Sequence, residues 1–165
     1  MFLFYLCCVQ KKTMYQTLTF LHSLTRWLVL ISLIYAIYRS FKGYSSNRKF
    51  TGADNKVRHW TATIAHIQLA IGMIFYFKSP MIQYFWKNFN EAKDSLEHVF
   101  FGLIHISLMI TAIIIITIGS ALAKRKLSDK EQFKTMGLWF SIALIIIFIA
   151  IPWPFSPFAN RPYFR

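Results

Sequence analysis

The chain has 165 residues, of which 56% are hydrophobic and 15% charged, with a formal net charge of +13. Soluble domains carry about 25% charged residues, and here the apolar excess lies in runs too long for core strands, which excludes an ordinary soluble domain. The basic excess gathers in two short connections, 39–58 and 124–134, where membrane topology and anionic lipid account for it without a nucleic-acid partner.

Residues 1–12 hold a short apolar run with no basic residue before it and no small-residue cleavage site after it, so they make only half of a signal peptide. Met14 opens a cleaner start, and residues 1–13 are open to reading as a start-site extension before a single domain, 14–165. Adjacent Cys7 and Cys8 have no metal-ligand spacing, and neighbouring cysteines form only strained disulfides. The first helix is expected over about 18–41, an apolar stretch interrupted by His22 and Arg26.

The second helix is expected over 59–77, the third over 96–123 and the fourth over 133–151. Each contains a charge-free run long enough, or nearly so, to cross about 30 Å of hydrocarbon. Pro80 and Pro152 follow the second and fourth, where proline commonly stops a helix. The connection at 78–97 carries three basic and three acidic residues. Its Tyr84, Phe85, Trp86 and Phe89 give it the character of a short interfacial helix, and Trp153 and Phe155 suit an aromatic belt. Gly72, Gly102 and Gly119 either allow close helix contact or are the ordinary glycine content of membrane helices.

The expected fold is therefore an all-α membrane protein, an up-down bundle of four transmembrane helices. Basic connections favour the cytoplasmic side, which puts both termini and the neutral connection on the outer, periplasmic side of the membrane.

Depth can be read from the helical rise of about 1.5 Å per residue. His22 lies seventeen residues before Arg39 and His105 nineteen before Lys124, which puts them about 26 and 28 Å above the basic boundary. Neutral imidazole is a good iron ligand, and two of them at one depth can hold a haem from both sides. One reading thus makes His22 and His105 the axial ligands of a single haem b near the outer leaflet. The other makes them polar residues hydrogen-bonding across helices. His98, one heptad above His105, offers a rival partner for His22, since tilt moves depths by several ångströms.

His66 lies only about 12 Å above the basic boundary and reads as the most deeply buried histidine. It has no matching partner for a second haem. With Gln68 it suggests a quinone or proton site, or else a satisfied interhelical bond. The pairs His59–His66 and His98–His105 are each about 10 Å apart along a helix, too far for one metal ion. Arg26, one turn below His22, suits a haem propionate or quinone oxygen; its alternative is an arginine snorkelling beside Trp27. Glu97 can orient a ligand histidine, pair with Arg26 or stay solvated at a helix start. No glycine-rich phosphate loop, Cys-x-x-Cys-His or nucleophile–base set is present, so neither a hydrolase nor a nucleotide enzyme is expected.

The segments HSLTRWLVL (22–30), HIQLAIGMIFYFKSP (66–80), FFGLIHISLMITAIIIITIG (100–119) and IPWPF (151–155) together resemble small four-helix membrane proteins of Bacteroidetes labelled cytochrome b-like. The resemblance implies a shared bundle and matching positions for His22, Arg26, Trp27, His66 and His105. It also implies an acidic residue before the third-helix histidine, where this chain has Ile104. The expected activity is electron transfer, alone or as a respiratory-complex subunit, with quinone among the candidate partners. Alternatives are a haem-free accessory subunit packed against other membrane subunits or a second copy, and a small proton-linked transporter.

Overall fold

The computed structural model describes residues 2–159 and 161–162, the first eleven of these as backbone alone; Cys7 and Cys8 therefore lie outside the described side chains. The chain forms α1 (Phe2–Ser45), α2 (Gly52–Lys78), the short helices α3 (Pro80–Lys87), α4 (Phe89–Ala92) and α5 (Leu96–Val99), a π turn (Phe100–Ile104), α6 (His105–Arg125) and α7 (Asp129–Ala150). No strand occurs among the described residues. Four segments are long and apolar enough to cross a membrane: Thr13–Ser45, Gly52–Lys78, Leu96–Arg125 and Asp129–Ala150. The protein is a multi-pass helical membrane protein.

The helices run past the apolar stretches that announce them, because their ends are set by capping residues within the charged connections. Thr51 and Asp54 form a reciprocal capping box that starts α2 seven residues before His59, and it satisfies two main-chain donors that the helix leaves open. The hydroxyl of Ser128 accepts from the amide of Glu131 and starts α7 in the same way.

Around the bundle, α1 packs on α2 and α7, and α6 packs on α7, while α2 and α6 touch least. Lipid is as apolar as leucine, so close packing rather than water exclusion joins such helices. Small side chains accordingly fill the crossings: Ala36 on α1, Ala62 and Ala65 on α2, Ala112 on α6 and Ala143 on α7 are all buried. Gly119 lies directly on Trp139 with no room for a Cβ, and Gly43 meets the Phe133 ring likewise. Gly102 gives the same close approach to Phe85 of α3. That short helix buries Ile82 and Phe85 against the bundle and turns Tyr84 and Trp86 outward.

The basic connections meet at one end in a polar lock. Asp54 is fully buried there, accepting from Arg39 Nε at 2.9 Å, Arg48 Nη1 at 2.8 Å, and the Thr51 hydroxyl at 2.7 Å. Arg58, also buried, donates to the Ser120 carbonyl of α6 at 2.9 Å. The Phe50 amide donates to Asp129 of α7 at 2.9 Å, and the Phe50 ring packs on Phe133.

Candidate functional site

At the end opposite the basic lock, the loose seam between α2 and α6 widens into an apolar cleft bounded also by α1. Its cavity volume is about 160 Å³, below the ~300–1,000 Å³ usual for cofactor sites, so a group of that size would have to extend out of the cleft's open side. His22 from α1 and His105 from α6 both line it. Their ring centres lie 6.4 Å apart with the planes at 70°.

His105 is aimed by an irregularity just before it. Its amide donates to the Phe100 carbonyl, five residues back instead of four, which closes the π turn. Such turns insert one extra residue into a helix and recur at functional sites. The imidazole Nδ1–H donates to the Ala150 carbonyl at 2.8 Å. A carbonyl can only accept, so the proton is on Nδ1 and the lone pair of Nε2 remains for a ligand, as second partners of metal-bound histidines arrange. Phe100 and Phe101 flank the ring at 5.9 and 6.1 Å.

His22 is held from α2. Gln68 donates to the His22 carbonyl at 3.0 Å and sits 3.2 Å from Nδ1, while its Oε1 accepts from Thr25. In this orientation the amide donates to Nδ1, so the proton of the neutral ring is on Nε2. Gly72 lies beside the ring, where a Cβ would come within 3.1 Å of Cε1. Phe75 stacks on the other side at 5.8 Å.

Two guanidinium groups complete the lining. Arg26 donates to Ser23 Oγ at 3.4 Å and lies 5.6 Å from the Trp27 ring centre. Arg161 pairs with Glu97 and lies 5.2 Å from the Phe101 ring centre.

Other expectations need correcting. Gln68 does not join His66. The two are separated by only two residues and point to different sides of α2, and Gln68 follows the stripe of Thr61, Ala65 and Gly72 toward α1 and the cleft. His66 lies off that stripe, so it is exposed rather than the most buried histidine, and it bonds Thr117 of α6 at 3.0 Å. His98 does not line the cleft; its Nδ1 is 2.8 Å from Ser95 Oγ and its ring lies 5.5 Å from that of Tyr84. The extra residue of the π turn rotates it away from the face it would share with His105 at heptad spacing. Glu97 holds Arg161 and not Arg26. Arg161, in the irregular segment after α7, and the π turn were both missed, since apolar runs and regular helical spacing signal neither.

No group of three or more His, Cys, Asp or Glu side chains able to hold a metal occurs among the described residues. The chain matches no family model, no curated protein and no solved structure, so any function rests on these residues.

Proposed function

We propose that the chain is a b-type cytochrome-like electron-transfer protein, or the haem-bearing subunit of a respiratory complex, in a bacterial inner membrane. The observation that carries this reading is the separation of the His22 and His105 rings. Two imidazoles bound to opposite sides of one iron through bonds of about 2 Å have ring centres about 6 Å apart, and here they are 6.4 Å apart. The Nδ1–H bond of His105 to Ala150 supports the same assignment.

Haem, when bound, supplies a one-electron couple. His22 and His105 would hold it, the His105 ring kept in place by the Ala150 carbonyl and the His22 ring by Gln68. Arg26 and Arg161 would offset the propionate charges, which arginine suits by its planar paired donors. The phenylalanines around both rings would keep water from the haem. Basic connections favour the cytoplasmic side, which supports a lock on that side and a cleft toward the outer leaflet. A membrane quinol is the electron donor this reading favours. His66, facing outward beside Thr117, is the side chain suited to receive its head group. It lies six residues below Gly72, about 9 Å along α2, and therefore below the level of His22 and His105.

The purified protein, supplemented with haem during expression, is expected to show a reducible low-spin spectrum with sharp Soret and α bands. H22A or H105A should abolish it, and H66A should leave it intact. A preparation that stays colourless under these conditions would sink the reading and favour a haem-free accessory subunit, in which the same histidines only join helices.

A further inference from the structure

The π turn before His105 is braced from outside its own helix. Tyr76, near the end of α2, donates its hydroxyl hydrogen to the Gly102 carbonyl in the middle of the turn, at 2.8 Å. Trp86 of the surface helix α3 donates its indole N–H to the Tyr76 oxygen at 2.9 Å. Beside them the Phe85 ring of α3 lies against Gly102, where any Cβ would fall within 2.6 Å of it. A widened turn breaks the regular ladder and opens main-chain carbonyls to outside donors, and in an apolar setting an unmet carbonyl is costly. The tyrosine hydroxyl meets that need at the one place where the helix departs from regular spacing.

We infer that Tyr76 is a positioning residue for His105, holding the π turn that aims the imidazole across the cleft, and that Trp86 holds Tyr76. This rests on the haem reading for its consequence, but the positioning stands on main-chain geometry alone. If the turn relaxes to regular α spacing, one residue leaves the register, and His105 rotates by about 100° around the helix. The imidazole then no longer stands beside His22. The surface helix α3, seated at the mouth of the bundle, is thereby linked through two hydrogen bonds to the orientation of one imidazole.

The test separates the two layers. In haem-free protein in detergent, hydrogen exchange at the amides of 104–106 should quicken roughly three- to tenfold in Y76F, the range expected for one lost hydrogen bond. The amides of 112–120 should keep their rates. In haem-loaded protein, Y76F should retain its haem while part of the low-spin signal becomes high-spin, and W86F should show the same change more weakly. Y84F, which alters an exposed hydroxyl bonded to Glu91, should do neither. Wild-type exchange rates at 104–106 in Y76F would overturn the inference even if haem binds. Faster exchange in a chain that takes no haem would leave the brace standing and remove only the haem. An unchanged low-spin spectrum in Y76F despite faster exchange would show that the turn does not aim His105.

Discussion

At the basic end of the bundle, Asp54 is fully buried, yet its two oxygens accept from Arg39, Arg48 and both the hydroxyl and the amide of Thr51. At the other end, His22 and His105 line the cleft with their rings edge to face, His105 with one hydrogen-bond partner at Ala150 and His22 with Gln68. The first arrangement leaves nothing for a ligand to do. Every lone pair of the carboxylate is met from within the chain, and its partners come from α1, the first connection and the start of α2. The second leaves an imidazole nitrogen available inside a membrane protein, where polar groups are expensive and functional more often than elsewhere. Saturated and unsaturated polar groups thus distinguish an architectural end from a chemical one.

The sharpest way to break that contrast is at Asp54. Removing a buried partner leaves its companions uncompensated, which costs ~3–5 kcal/mol for a fully buried pair. Arg39 and Arg48 keep 25% and 35% of their side-chain surface exposed, so the expected loss for D54A is nearer about 3 kcal/mol. Thermal unfolding in detergent should register it, while the low-spin spectrum of the folded fraction stays that of the wild type. A spectral change in folded D54A would mean that the two ends are not independent.

At the cleft end the corresponding substitution acts on shape. A Cβ at Gly72 would lie 3.1 Å from His22 Cε1, tight enough that the ring must yield, and the branched methyls of valine crowd it further. Overpacking of this kind costs ~1–3 kcal/mol. For G72V we expect haem affinity, measured by titration of the haem-free protein, to fall about tenfold or more, and the fall for G72A to be smaller. Equal affinity in G72V and wild type would separate His22 from the haem.

The same contrast explains which parts were legible in the sequence. The four spans follow from charge-free runs, because hydrocarbon thickness leaves little choice of length. Their ends do not, since Thr51, Asp54 and Ser128 sit among charged residues that a search for apolar runs passes over. His22 and His105 share a depth because helical rise is constant, and the stripe through Thr61, Ala65, Gln68 and Gly72 was equally readable from helical phase, which would have given Gln68 to His22. The π turn was not readable: regular spacing is the assumption by which depth and face are inferred, and the turn violates it between His98 and His105. Arg161 was hidden for a different reason. It follows Pro152 and Pro154 in irregular chain, where periodicity carries no information about direction.

The smallest stability effect is expected at Arg161, and it bears most directly on what charge does at each end. Its partner Glu97 keeps 45% of its side-chain surface exposed, and exposed ion pairs contribute ~0.2–1 kcal/mol. R161A should therefore unfold within about 1 kcal/mol of wild type. Its electrostatic effect is larger. Arg161 and His105 flank the ring of Phe101, 5.2 and 6.1 Å from its centre. Over roughly 10 Å, at an effective dielectric constant of about 20, one charge is worth about 1.7 kcal/mol, or about 70 mV for a single electron. A nearby cation favours the reduced, less positive iron, so removing it should lower the midpoint potential by tens of millivolts, with screening by salt reducing the figure. R161K keeps the charge and should restore most of the potential. D54A, by contrast, should lose stability and leave the potential where it was. A charge at the basic end would then hold helices together, and a charge at the cleft end would set the energy of an electron. If R161A changes stability without moving the potential, Arg161 belongs with Asp54 as architecture, and the distinction between the two ends fails at that residue.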